Sequence, residues 1–271
     1  CHLRKNSFKV KTGDYVRQGE VVAACGNSGR SPEPHLHFQV QVTPYVGSKT
    51  IAYPFASYST HKNNKPGMAE FVVPGETELV SNVMINEDLA KAFEFSPGSR
   101  MEVAATGFTG STWEVFTDAY NSSYLYCHET RAMAYFRRTS TVFYFTSFYG
   151  DRESLLYYFY MACYKIRLSS EDTVVMQDQF PLQWSHNNPG KWLQDLVAPF
   201  YIFRRLLYES ENKVISGGFF DTALTICSRQ ILQYPAMRKC IQESVIEINN
   251  QKITSFTFLR KTKNLRQLRF L

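Results

Sequence analysis

The sequence predicts a mainly β protein, in which a short β-sheet segment at the N-terminus precedes a larger β-rich (α+β) domain. Three observations support this class. Polar and apolar residues alternate along residues 35–40, as on a strand with one buried face. Aromatic residues are concentrated in residues 113–164, and aromatic side chains favour strands. The stretch 249–251, Asn-Asn-Gln, separates two strand-like runs and is a hairpin signal.

Composition sets the outer limits on function. The 271 residues are enough for one large or two ordinary domains, and a hydrophobic content of 44% can form a core. The net charge of +6 is spread along the chain, which does not favour nucleic acid as a partner. No apolar run reaches the ~18–20 residues of a membrane helix. The six cysteines lack the spacing of a structural zinc knuckle.

The chain divides into three predicted parts. Residues 1–42 form short strands joined by turns at 11–14 and 18–20, where Gly and Asp are placed for tight reversals. Residues 43–68 are rich in Pro, Gly and Asn and are predicted to be a connector. Residues 69–271 form the β-rich domain, for which the sequence gives no function.

Three helices and a series of strands are predicted in this domain. A short helix near 90–93 is capped by residues 86–88, and a buried helix spans 154–166, where apolar residues recur at helical spacing. A further helix at 193–207 is interrupted at Pro199. Strands are predicted at 70–73, 100–105, 112–116, 124–127, 133–136, 142–148, 244–248 and 252–258.

The most informative residues are two histidines on one predicted strand. His35 and His37 are two residues apart, so their imidazoles lie on the same face as Gln39. A loop at 30–34 with two prolines presents the first of them. Two imidazoles on one strand face suit a metal or an acid–base site. The opposite face is apolar and is expected to be buried: Leu36, Phe38 and Val40.

Several spaced elements agree in order with one enzyme family. The run 10–41 resembles the C-terminal half of the lysostaphin-like zinc endopeptidases, which cut peptide cross-links of bacterial cell walls. The resemblance covers about residues 1–42. Its matching elements are His2-Leu3, Gly13-Asp14, the loop from Gly26 to Gly29, and His35-Leu36-His37-Phe38.

The resemblance implies a site and a cofactor. It implies zinc as the cofactor, His37 as a metal ligand, and His2 and His35 as catalytic residues beside the metal. In the family, a further His and an Asp from an upstream segment complete the zinc site. We therefore expect this chain to be a fragment that lacks those ligands and is inactive alone, while the intact parent is the zinc metalloendopeptidase.

The same resemblance implies partners and a place of action. It implies peptidoglycan peptides as the substrate, and the bacterial cell envelope, either periplasm or cell surface, as the location. Membrane association of the parent and its oligomeric state stay open.

Other functions are weighed against this one. The main alternative is a non-catalytic cell-wall-binding or regulatory module derived from the peptidase fold. A cupin site is disfavoured because Gln41 and Val42 stand where its Glu is needed. A biotinyl carrier would need a modifiable Lys at a hairpin tip, and a phosphate loop would need a Lys after its glycines. The aromatic residues of 113–164 suit a packed core or a carbohydrate platform.

Overall fold

A computed structural model describes the chain except for residues 18, 63–64, 106–109, 170–173, 182–188, 201, 217–221, 261–262 and 271. The described chain divides into two compact units. Unit 1 comprises Cys1–Phe55 and Phe71–Pro74, and unit 2 comprises Ala56–Glu70 and Gly75–Leu271. The main division thus falls before residue 56, earlier than the boundary predicted near residue 68. The assignment of separate roles to these parts stays a prediction.

The first strands are short. Strands β1 (Val40–Gln41) and β2 (Thr50–Ile51) form an antiparallel pair. Strands β3 (Phe55–Lys62), β4 (Lys65–Val72) and β5 (Val80–Ser81) form a three-stranded sheet in the order β4-β3-β5. Residues 43–68, predicted as a connector, therefore contain regular strands.

A twelve-stranded sheet dominates unit 2. Its order is β11-β10-β9-β8-β7-β6-β17-β16-β15-β14-β13-β12, and neighbouring strands run antiparallel. The mainly β class is confirmed. The strands are β6 (Arg100–Ala105), β7 (Ser111–Thr117), β8 (Ser123–Cys127), β9 (Met133–Arg138), β10 (Val142–Tyr149), β11 (Lys165–Arg167), β12 (Val175–Phe180), β13 (Arg205–Ser216), β14 (Thr222–Tyr234), β15 (Met237–Asn249), β16 (Lys252–Arg260) and β17 (Lys263–Phe270).

Three helices accompany the sheets in the described chain: α1 (Glu87–Ala92), α2 (Leu155–Ala162) and α3 (Pro189–Val197). The Asn86 side chain caps α1 by accepting the backbone N–H of Leu89 at 3.0 Å, which confirms the cap predicted at residues 86–88, although the helix begins at Glu87 and not near residue 90. None of the described helices is long and apolar enough to cross a membrane.

Helix α2 lies in the core of unit 2. All eight of its residues are buried, and it packs against β9, β10, β15 and β16. The hydroxyl of Tyr208, on β13, donates to the carbonyl of Ala162 at the end of α2 at 2.9 Å. Burial raises the pKa of Tyr208, so its hydroxyl stays protonated and can act as this donor. The side chain of Asn212 donates to the carbonyl of Arg167 and so ties β13 to β11.

Two of the predicted helices differ from the structure. The helix predicted at 154–166 ends at Ala162, and Lys165–Arg167 pairs with β10 as a strand. The helix predicted at 193–207 is wrong in position, because α3 ends at Val197 and Arg205 begins the long strand β13. Pairing of β13 along its whole length with β14 decides this conformation.

The apolar face opposite the two histidines is not buried, contrary to the prediction. Leu36 is 65% exposed, Phe38 is 69% exposed and Val40 is 38% exposed. The strand predicted over residues 35–40 is also absent except at its end, because residues 36–39 are not in a strand and β1 begins at Val40. Among the described residues of unit 1, only the two-residue strands β1 and β2 adjoin this stretch, which is too little structure to cover it. The alternation of polar and apolar residues therefore indicates which side chains share a face, but it does not show whether that face is buried.

We predict that Tyr208→Phe lowers the free energy of unfolding of unit 2 by about 1–2 kcal/mol, since it removes the hydrogen bond from the Tyr208 hydroxyl to the buried carbonyl of Ala162. Urea denaturation followed by circular dichroism measures the change. Tyr120→Phe is the matched control, because Tyr120 is 89% exposed. Equal stability of the two variants would contradict the role assigned to this hydrogen bond.

Candidate metal and acid–base site

Three short segments of unit 1 meet at the predicted site. An antiparallel bridge joins Leu3 to Cys25, and a second joins Gly26 to His35. The segment at residues 25–26 therefore lies between the N-terminal residues and the start of the histidine stretch. The backbone nitrogen of Cys1 also donates to the carbonyl of His37 at 2.6 Å. These contacts bring residues that are more than thirty positions apart into one place.

The close approach of two backbones requires glycine at position 26. A Cβ atom there would lie 2.5 Å from the amide nitrogen of Arg4, 2.6 Å from its Cα, and 2.9 Å from the carbonyl carbon of Leu3. These are backbone atoms that a rotamer change cannot move. At this close approach, the amide of Arg4 donates to the carbonyl of Ala24 at 2.9 Å. Gly26 thus allows the N-terminal segment to pair closely with the segment at residues 24–26.

The predicted turns between these segments are present. The carboxylate of Asp14 accepts the amide of Lys11 at 2.9 Å, and Gly13 has a φ of +95° that favours glycine. A second turn repeats this arrangement, with the carboxylate of Glu20 accepting the amide of Arg17 at 2.8 Å. Side-chain oxygens therefore close both reversals.

The structure brings all three predicted site histidines together. The ring centroids of His2 and His35 are 4.7 Å apart, and those of His2 and His37 are 5.7 Å apart. One ring nitrogen from each lies within 4.8 Å of the other two. His2 and His35 are partly buried, whereas His37 is exposed. Among the described residues, no carboxylate or thiol belongs to this cluster.

The ring of His2 is fixed by the glycine-rich loop. Its Nδ1 lies 2.7 Å from the carbonyl oxygen of Ser28, to which it can only donate. The hydroxyl of Ser28 in turn donates to the carbonyl of Leu3 at 2.8 Å. In the neutral ring, the proton is therefore on Nδ1 and Nε2 has a free lone pair.

The other two rings are held in the same way. The Nδ1 of His35 lies 2.9 Å from the carbonyl oxygen of Glu33 and 3.1 Å from the hydroxyl of Ser31. The Nε2 of His37 lies 2.7 Å from the side-chain oxygen of Gln39. Each imidazole therefore has one nitrogen bound to a protein oxygen and one nitrogen left as an acceptor. This is the usual state of a metal-binding or proton-accepting histidine.

The donor set is chemically suited to zinc. Zinc bonds to imidazole nitrogen at about 2.0–2.1 Å, so ligand nitrogens of a tetrahedral site lie roughly 3.4 Å apart. The spread of up to 4.8 Å is wider than this. Without any rearrangement, therefore, one imidazole can bind zinc while the other two lie close to it. Binding by all three at once would require a shift of about 1 Å.

The sequence did not assign roles to the residues that orient the rings. Gln39 could have been found, because the alternation of residues 35–40 predicted it on the same face as the two histidines. Ser28 could not, since its contacts depend on a loop conformation that brings residues 25 positions apart together. Ser31 and Glu33 act through the loop at 30–34 that the prolines predicted to be extended.

We predict that Gly26→Ala separates His2 from His35, because the new methyl group overlaps the backbone of Arg4. The nuclear Overhauser effect between the two imidazole rings should disappear, and the amide of Arg4 should exchange at least about tenfold faster. Gly75→Ala is the control, since Gly75 does not have a positive φ and a Cβ there meets only the side-chain carboxylate of Glu78, at an ordinary 3.8 Å. Retention of the ring–ring effect in Gly26→Ala would rule out this packing.

Comparisons with known proteins find matches in the segment that contains the three histidines. Residues 1–50 match the model of Peptidase family M23. Lysostaphin from Staphylococcus simulans is 45% identical over 47 residues, which cover 17% of this chain and 9% of that protein, and lysostaphin from Staphylococcus staphylolyticus matches equally. Glycyl-glycine endopeptidase ALE-1 from Staphylococcus capitis is 36% identical over 74 residues, 24% of this chain and 20% of that protein.

These matches confirm the lysostaphin-like resemblance of the N-terminal segment. The chain spans between 9% and 20% of the length of these relatives. No solved structure matches the chain. The residues that follow the matched segment have no family assignment.

Proposed function

We propose, from the match of residues 1–50 to Peptidase family M23, that this chain is part of a zinc-dependent endopeptidase that hydrolyses peptide bonds of bacterial peptidoglycan. The observation that carries the proposal is the convergence of His2, His35 and His37 within the matched segment. The sequence resemblance predicted these three residues, and each has one ring nitrogen available for chemistry.

The substrate class follows from the relatives. One matched relative is a glycyl-glycine endopeptidase by name, and the others are lysostaphins. We therefore propose peptides of the cell wall as substrates, with glycine-linked peptides as the first to test. The corresponding place of action is the bacterial cell envelope or the cell surface.

His37 is the proposed zinc ligand of this segment. Its Nε2 is turned to Gln39, so Nδ1 is the nitrogen available to the metal. When bound, zinc polarises the scissile carbonyl and makes a nearby water more acidic. The remaining ligands, a His and an Asp by resemblance, would come from a part of the parent outside this chain. Alone, the chain would therefore bind zinc weakly and lack activity.

His2 and His35 are the proposed acid–base residues. In each neutral ring the Nδ1 proton is held by a backbone carbonyl, so Nε2 can accept a proton from water. The resulting imidazolium could stabilise the developing oxyanion or donate a proton to the leaving amine. The two rings are 4.7 Å apart, so both can reach one reacting group.

The second candidate is a non-catalytic module that binds the cell wall or regulates a peptidase. The observation that favours it is the composition of the cluster, which contains three imidazoles and no carboxylate within the described residues. An upstream His and Asp in the parent protein would favour the enzyme. Their absence there would favour the module.

The test compares histidine variants of the intact parent on purified peptidoglycan, scored by newly released amino groups and by zinc content. His37→Ala should lose both zinc and activity. His35→Ala should keep most of its zinc and lose roughly 10²–10⁴-fold in rate, which is the usual contribution of a positioned acid–base group. His61→Ala is the control, because His61 lies outside the cluster and contacts Ser81.

Two results would contradict this assignment. Equal loss of zinc in His37→Ala and His35→Ala would show that the two residues do not have different roles. Full activity of the parent after complete removal of zinc by a chelator would show that the reaction does not use the metal.

A further inference from the structure

The outer face of the large sheet carries a ladder of aromatic rings. Phe116 on β7 lies opposite Tyr124 on β8, which lies opposite Tyr135 on β9. The rings of Phe116 and Tyr124 are 5.9 Å apart at an interplanar angle of 28°, and those of Tyr124 and Tyr135 are 4.9 Å apart at 30°. The three rings therefore pack in a row across neighbouring strands.

The ladder stops at β10, where the next cross-strand position is Ser147 instead of an aromatic residue. A bulge between Phe145 and Ser147 sets this register. Ser147 therefore ends the row of rings with a small polar side chain. An open depression of about 380 Å³ lies there, lined by Asp118, Met133, Tyr135, Ser147 and Tyr149.

Two rings form a corner of this depression. Tyr149 is 56% exposed and stands edge to face with Tyr135, at 5.9 Å and 83°. Aromatic faces carry a partial negative charge, so a corner of two rings attracts a cation more than a neutral or anionic group. The thioether of Met133 is a further polarisable contact.

The lining residues add negative charge and no positive charge. Asp118 is the only charged residue among them. Its Oδ1 accepts the amides of Tyr120 and Ser122, each at 2.9 Å, which fixes the carboxylate at the edge of the depression. Burial, followed by the negative charge of Asp118, raises the pKa of Tyr135, consistent with the carboxylate lying near that ring.

We propose that this depression binds the ammonium group of a peptide, either a lysine side chain or a free amino terminus. The charge of the carboxylate and of the two ring systems is complementary to an ammonium group, and a compact tetrahedral head fits a corner better than a flat group does. The rings are inclined to one another by 28° and 30° along the ladder and by 83° between Tyr135 and Tyr149, so they do not form the flat platform that a sugar would need. The site belongs to unit 2 and does not depend on the peptidase function.

The test titrates the whole chain, carrying ring-labelled tyrosine, with Nα-acetyl-lysine methylamide and follows the Tyr135 and Tyr149 signals by NMR. We expect saturable shifts with a dissociation constant of about 1–10 mM. Nα,Nε-diacetyl-lysine methylamide, which lacks the charge, should give no saturable shift. N-acetylglucosamine serves as the probe for a sugar site.

Matched variants test the parts of the site. Asp118→Asn keeps an oxygen to accept the amides of Tyr120 and Ser122 and should weaken binding about fivefold. Ser147→Tyr should abolish binding by filling the depression. Glu102→Gln makes the same charge change at an exposed position of β6 and should leave binding unchanged.

Three outcomes would overturn the proposal. The first is equal binding of the charged and the acetylated lysine probes. The second is unchanged binding in Asp118→Asn, with the wild-type chain and Glu102→Gln as references. The third is the absence of saturable shifts with the lysine probe, whether or not N-acetylglucosamine produces them.

Discussion

The candidate site depends on one backbone contact, the close approach of Gly26 to Leu3 and Arg4. No side chain larger than hydrogen fits at this position, because the atoms around it belong to the backbone of the opposite segment. This contact places the glycine-rich loop beside the N-terminal residues. The carbonyl of Ser28 can then orient His2, and the bridge from Gly26 to His35 places the second ring beside the first. The chemistry of the three imidazoles follows from this packing.

Unit 2 is organised around a different constraint, the burial of helix α2. Every residue of this helix is buried, so it must be surrounded by apolar side chains on all sides. The inner face of the large sheet supplies them, with Trp113 and Phe256 among the residues that contact Phe159. The outer face has no such requirement. One aromatic-rich segment therefore supplies both a packed core and an exposed ladder that includes Tyr124 and Tyr135.

The differences between expectation and structure share a cause. Alternation along residues 35–40 shows which side chains lie on one face, but another layer must be present to bury that face, and Leu36 and Phe38 are exposed. Residues near 205 have apolar side chains that are compatible with a helix or a strand. They form a strand because twelve residues of β13 pair with β14. Both outcomes depend on residues that are distant in the sequence.

The sequence by itself determined the features that depend on near neighbours. The cap at Asn86, the hairpin turn at Asn250 and Gln251, and the shared face of His35 and His37 follow from side-chain chemistry within a few residues. Only the tertiary structure decided which distant groups meet. The oxygen that orients His2 lies 26 residues away, and the depression beside Tyr135 lies where a bulge places Ser147 opposite that ring. Local patterns contain no information about such contacts, because they arise when separate segments pack and pair.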